Sequence, residues 1–313
     1  MIYGLLAAAG WGTSAVAAAV AVRRAGTYLV VLLSQAVGLG ALVLLAIVMR
    51  RTLDVITGPV AIGLAGAGLI GLVGYLTFYR SVALGPAGLM SAISSTYGGV
   101  AAGLAVGLLG EHLGVSGIAG LLLAICGVTL ASARGSAGPG PESTGPESTG
   151  PAFSAAAIPL AFGSALAYGV SGFILSYFTR QSGWLLPGVI AHGTSVTALL
   201  AALPFATGRI RLSRRRGEPA GRLPERGHSE RSPRSWRWML TWAAAAGLTD
   251  AGALLAYSRG SQLGQVAITA ATSSVYPVIP LIVGVALLGE RLRRRQLTGI
   301  ALIIAGLVLL GLA

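Results

Sequence analysis

Residues 252–311 read GALLAYSRGSQLGQVAITAATSSVYPVIPLIVGVALLGERLRRRQLTGIALIIAGLVLLG, two apolar stretches joined by Gly289-Glu290-Arg291-Leu292. A near-copy lies 179 residues earlier. Arg80 matches Arg259, Gly85 matches Gly264, Ser94-Ser95 match Ser273-Ser274, and Tyr97 matches Tyr276. Leu109-Gly110-Glu111 matches Leu288-Gly289-Glu290, and Gly120 and Gly127 match Gly299 and Gly306. The repeat reaches back to the N-terminus at a spacing of 157 residues, where Trp11-Gly12, Ser14, Arg23 and Gly26 match Tyr168-Gly169, Ser171, Arg180 and Gly183. The spacing grows from 157 to 179 because the second copy carries a long Arg-rich loop. Glycine and alanine match by chance in such a chain, but paired Arg, Tyr and Gly-Glu at one register do not. A duplication of this kind decides the fold before any single motif does.

The chain has 313 residues, of which 54% are hydrophobic and 10% charged, with a mean hydropathy of +0.79. A soluble domain carries about 25% charged residues. The apolar residues form long runs, and roughly 20 such residues cross a bilayer as a helix. Ten runs are read as spans: 2–22, 28–49, 58–80, 86–109, 114–133, 152–178, 184–207, 238–260, 264–288 and 294–313. Barrel strands would instead be about ten residues long with alternating polarity. The 47 glycines suit close helix packing in a membrane. The first run has neither a basic leader nor a distinct cleavage site and is read as a retained helix. Cys126, the single cysteine, has no internal disulfide partner and is read as a packing residue of the fifth span.

Composition also excludes chemistry. All 22 basic residues are arginine. Without lysine there is no Walker A loop and no Schiff base. Uphill movement of a solute would therefore draw on an ion or substrate gradient. No His/Cys/Glu metal constellation, nucleophile–base pair or glycine-rich phosphate loop is present, so no enzyme, cofactor or metal is expected.

The ten spans divide into a first five-helix repeat over 1–133, a flexible linker over 134–151 and a second five-helix repeat over 152–313. The linker writes Pro-Glu-Ser-Thr-Gly twice. Residues 209–237 hold ten of the arginines and are expected to be disordered, drawn to anionic lipid headgroups rather than to nucleic acid. Trp236, Trp238 and Trp242 mark re-entry into the interface. Five spans per half is an odd number, so the second half enters from the opposite side. Inverted repeats of this kind mark secondary transporters. The loops after spans 1, 3, 5, 7 and 9 carry 18 arginines against four on the other side, which places both termini outside by the positive-inside rule.

Ionisable groups inside spans default to function. Asp250 lies deep in the eighth span and His192 in the seventh. Asp250 is read as a site for a coupling proton or a substrate cation, with a neutral or Arg-paired structural aspartate as the alternative; His192 is either its coupling partner or a packed histidine. Glu111 and Glu290 stand before the fifth and tenth spans, where a carboxylate satisfies free N–H groups. Arg80 and Arg259 end the third and eighth spans, facing the negative end of the dipole. Thr269, Thr272, Ser273 and Tyr276 share one helix face by their spacing, and Ser91, Ser94, Ser95 and Gly98 form a similar stripe beside Tyr97. These stripes are either helix–helix hydrogen-bonding faces or the walls of a central cavity that Trp11, Ser14, Tyr75, Tyr168, Ser171 and Tyr257 would complete. Pro277 interrupts the ninth span beside Tyr276, and Gly98 holds the matching place in the fourth.

Trp11-Gly12, the Arg80–Glu111 block with Gly120 and Gly127, and the stretch Ala256–Gly311 with Tyr276-Pro277, Gly289-Glu290-Arg291-Leu292, Gly299 and Gly306 resemble the EamA-type ten-helix members of the drug/metabolite transporter superfamily. The resemblance covers nearly the whole chain. It implies a ten-helix inverted repeat, export or import of small metabolites, a cavity built mainly from spans 1, 3, 4, 6, 8 and 9, and both termini in the cytoplasm. The first copy departs from the pattern in having Gly98 where the family commonly has proline. The membrane glutamate of the small four-helix relatives is absent from the first span, so their coupling chemistry does not carry over. The expected protein is an all-α, multi-pass secondary transporter of the cytoplasmic membrane. It would move an amino acid-like or drug-like organic metabolite, in efflux or uptake, by alternating access with proton coupling. The alternative is a non-transporting scaffold or sensor whose Arg-rich loop binds a partner. No feature of the sequence sets an oligomeric state.

Overall fold

An apolar run that enters a membrane must satisfy its own backbone, which a helix does within one segment. The computed structural model describes residues 1–50, 56–85, 87–132, 154–215, 233–280, 282–283 and 294–311, and all regular structure among them is helical. The elements are α1 (Ile2–Ala25), α2 (Thr27–Val48), α3 (Gly58–Leu84), α4 (Ala87–Ser94), α5 (Tyr97–Leu109), α6 (Val115–Ser132), α7 (Ala157–Ser182), α8 (Leu186–Arg215), α9 (Pro233–Leu263), α10 (Val266–Ser273) and α11 (Arg294–Gly311). Among the described residues, seven helical segments are long and apolar enough to cross a bilayer, with Leu89–Leu109 running through α4 and α5. Three shorter apolar ones cover Val115–Leu130, Val266–Pro280 and Leu297–Leu310.

The α1–α2 and α7–α8 hairpins turn on Gly26 and Gly183, both at φ 80. That left-handed geometry favours glycine, and the two residues are repeat partners 157 apart. The fourth and ninth runs are broken rather than continuous. Ser95 and Ser274, again repeat partners, each turn their hydroxyl back onto a carbonyl three residues earlier, Ala92 O and Ala271 O, at 2.7 Å. Such back-bonding offers the carbonyl an alternative to the helical ladder. The chain then tightens into three-residue steps, Gly98 N to Ser95 O at 3.2 Å and Tyr276 N to Ser273 O at 3.3 Å. In the second half the break precedes Pro277, and the first half breaks without a proline.

Small residues let the helices approach closely. α1 lies along α9, α3 along α7, and α6 along α11; α2 contacts α8 and α9, and α5 contacts α7 and α10. The α6–α11 crossing is glycine on backbone: a Cβ on Gly120 would stand 2.7 Å from Gly306 O, and one on Gly127 would stand 2.7 Å from Gly299 O. Large apolar side chains such as Ile62, Phe162, Leu166 and Leu122 are exposed, as a lipid-facing surface requires. Cys126, expected to pack inside, is also exposed.

Residues 209–215 and 233–237, expected as disordered loop, continue α8 and α9. Arginine is a good helix former, and basic residues suit the C-terminal end of a helix such as α8. The linker 134–151 falls outside the described residues, as do 216–232 and the Gly289–Leu292 motif with Glu290.

Candidate functional site

The site is built around Asp250, which α9 holds 3% exposed among apolar neighbours. An uncompensated carboxylate there would be costly. Tyr75 of α3 compensates it, donating its hydroxyl 2.7 Å from both Oδ1 and Oδ2. His192 of α8 completes the group. Its Nδ1 lies 3.1 Å from Gly188 O. A carbonyl only accepts, so Nδ1 carries the hydrogen. That turns Nε2 toward Asp250 Oδ2 at 3.4 Å, within ion-pair distance but outside hydrogen-bond geometry. Each of the two atoms is able to accept a proton.

These three side chains face a cavity open to one side. Its walls come from α1, α2, α3, α5, α7, α8, α9 and the turn after α10. Eight of the 22 residues that line it are aromatic. Trp11 stands edge-on to Tyr97 at 5.9 Å between ring centroids and 5.4 Å from Tyr257. Tyr75 stands edge-on to Tyr168 at 5.3 Å, and Tyr276 lies 6.4 Å from Tyr97. Among the described residues, the lining contains one carboxylate, one imidazole and no arginine.

Of the residues singled out in the sequence, Trp11, Ser14, Tyr75, Tyr97, Tyr168, Ser171, His192, Asp250, Tyr257 and Tyr276 all border this cavity. Two of them are also spent on packing: Ser14 donates to Ala246 O at 3.0 Å and Ser171 to Ala67 O at 2.8 Å. Ser91, Ser94, Thr269, Thr272 and Ser273 are buried but do not border it. Ser94 bonds Ser164 at 2.7 Å, Ser273 bonds the Tyr97 hydroxyl at 2.7 Å, and Tyr276 donates to Ser91 O at 3.1 Å. Thr269 and Thr272 turn back on their own helix, to Gln265 O and Ile268 O. Ser273 and the Ser91 carbonyl thus hold Tyr97 and Tyr276 from behind.

Among the lining residues outside the sequence reading of the site, the polar or aromatic ones are Gln35, Phe78, Tyr79 and Ser195. A signal existed for three of them. Tyr79 is one turn from Tyr75, Ser195 is three residues from His192, and Gln35 is the repeat partner of His192.

Glu111 does cap a helix, but not the one that follows it. Its carboxylate accepts from Val266 N at 3.0 Å and Ala267 N at 2.9 Å, at the start of α10 in the other half. Arg180, at the end of α7, pairs with it at 2.7 Å. Arg259 reaches only Gln262, at 2.8 Å, and Arg80 is exposed.

Comparison with curated proteins gives no match. A solved protein crystal structure is similar in fold, with a TM-score of 0.71 at 17% identity, covering 99% of this chain and 96% of that one. At that identity the likeness speaks to fold alone. The model of the EamA-like transporter family matches residues 1–133 and 155–312. Those two stretches take in nearly the whole chain, which belongs to the EamA-like transporter family, a family of membrane transporters of small solutes.

Proposed function

We propose that this chain is a secondary transporter that moves a small organic solute across the cytoplasmic membrane by alternating access, with a proton carried at the Asp250–His192 pair. The observation that carries the reading is the cavity itself, which takes walls from both halves and holds the only deeply buried carboxylate among the described residues. The membrane arrangement is ten spans in two inverted five-helix repeats, 1–133 and 152–313, joined by 134–151.

Contacts that recur between repeat partners support this arrangement. The bond from Ser14 to Ala246 O has its counterpart in the bond from Ser171 to Ala67 O. Gly68 sits on the backbone of Ala191, and its partner Gly247 sits on the backbone of Ser34, the partner of Ala191. The α1–α9 pair corresponds to α7–α3. Halves related in this way can rock about a site between them and expose it to each side in turn. The lining argues against a non-transporting scaffold, whose interior would be sealed by packing rather than lined by hydroxyls and a carboxylate.

Purified protein in proteoliposomes with an imposed pH gradient tests the reading against a solute library. At least one solute should accumulate with the gradient and stop when an ionophore dissipates it. Failure of every solute to move, in protein shown to be folded and inserted, would overturn the proposal.

A further inference from the structure

Within that transport reading, the charge of the cavity identifies the class of solute. The lining offers one carboxylate and no arginine. A carboxylate or phosphate on the solute would have no fixed cation to meet, and would face Asp250. A zwitterionic amino acid carries the same liability at one end. A neutral solute would leave the Asp250 charge and its proton untouched. An organic cation meets both features of the site: a buried carboxylate, and the rings of Trp11, Tyr75, Tyr168 and Tyr257 on the wall of one cavity. Aromatic faces attract an ammonium group, more strongly once it is out of water.

We infer that the solute is an organic monocation, an amine on a flat apolar body, and that it and a proton occupy Asp250 in alternation. With Nδ1 of His192 committed to Gly188 O at 3.1 Å, Nε2 is the ring atom left to accept a proton, 3.4 Å from Oδ2. With that proton the pair is neutral overall, as a low-dielectric site demands. When an ammonium group enters, the carboxylate is compensated by the solute and the proton leaves to water. When the solute leaves, a proton returns. The cavity therefore carries one compensating positive charge in either state.

The groups that face Asp250 agree with this assignment. α3 presents Tyr75 and Tyr79, α7 presents Tyr168, α8 presents His192, and α2 and α1 present the uncharged Gln35, Ser14 and Trp11. Apart from Asp250 and His192, none of these groups carries a formal charge in its ordinary state. Tyr75 uses its hydroxyl hydrogen on the carboxylate and leaves further acceptor positions on the two oxygens free for an ammonium group.

The test is equilibrium binding to the full-length protein in detergent, by calorimetry, with three probes of one shape: 2-phenylethylammonium, 2-phenylethanol and 3-phenylpropanoate. The ammonium should bind roughly tenfold or more tighter than the alcohol, and the carboxylate weakest. Between about pH 5 and about pH 8, where an alkylammonium with an unperturbed pKa of about 10.4 keeps its charge, ammonium affinity should rise with pH. Titration in buffers of different protonation enthalpy should show release of about one proton per bound cation at the acid end. Alcohol binding should not change with pH. In Asp250→Asn, ammonium affinity should fall by roughly 100-fold while alcohol binding persists, which also reports that the variant is folded. Carboxylate binding equal to ammonium binding, absence of preference among the three, or ammonium binding without proton release overturns the inference. If Asp250→Asn does not fold, the wild-type order and its pH dependence decide alone. Because the measurement needs no membrane, it can fail while proteoliposome flux succeeds, and the reverse.

Discussion

Asp250 and Gly71 occupy equivalent places in the two halves, 179 residues apart, and their surroundings differ in kind. Around Asp250 stand Tyr75 and His192; the positions equivalent to those residues hold Leu254 and Gln35. The backbone frame on either side is matched, down to the Ser14 and Ser171 hydroxyls on opposing carbonyls at 3.0 and 2.8 Å. The comparison separates two tasks. The packing contacts at the interface of the halves occur twice, and the buried charge occurs once; under the proposed mechanism the first serve movement and the second serves coupling.

The largest expected effect comes from erasing that difference. Asp250→Asn keeps shape and hydrogen bonding but no longer titrates, so pH-driven accumulation in proteoliposomes should fall to background. Full accumulation in the variant would dissolve the distinction between the halves. Doubling the charge instead, with Gly71→Asp, puts a carboxylate where a Cβ would already stand 2.9 Å from Ser171 Oγ and where the positions equivalent to Tyr75 and His192 hold Leu254 and Gln35. This should cost about 1–3 kcal/mol of stability, read as a lower thermal midpoint.

A smaller loss is expected from Tyr75→Phe. Both carboxylate oxygens lose their donor at 2.7 Å. The cost should be about 1.5–3 kcal/mol in the buried limit, less because the hydroxyl borders an open cavity. The reciprocal change, Leu254→Tyr, should cost less still or nothing in transport. Equal effects of the two on proton-driven uptake would blur the comparison. The smallest effect concerns the rim. Arg180 is 44% exposed, so Arg180→Ala should lower stability by at most ~1 kcal/mol, screened by salt. Glu111→Ala should cost more than Arg180→Ala in the same thermal assay, because it also frees Val266 N and Ala267 N.

Much of this was legible in the residues. Run length alone locates the apolar helical segments, because a bilayer sets a minimum length and composition fills it. Asp250 stood out because a charge in an apolar run is expensive, and the aromatic residues of the cavity stood out because they recur near the same repeat positions. The Ser and Thr stripes misled for a physical reason. Periodicity places Thr269, Thr272 and Ser273 on one face but cannot say which neighbour that face meets, and here they meet their own backbone and Tyr97. The helix breaks were half legible. Pro277 drew attention to one of them, yet both follow the hydroxyls of Ser95 and Ser274, which act whether or not a proline is near. Glu111 could be recognised as a helix cap from its charge, but its target lies 155 residues away, and only the packed structure joins them.

The solitary carboxylate of the cavity also has an electrical consequence. A site that crosses the membrane with one positive charge going one way, as solute, and one returning, as a proton, moves no net charge per cycle. A potential of 100 mV acts on each uncompensated charge with ~2.3 kcal/mol, and on a neutral cycle with nothing. Flux through this chain should then follow the proton gradient and be indifferent to voltage, so that a cell could depolarise without losing its hold on the solute.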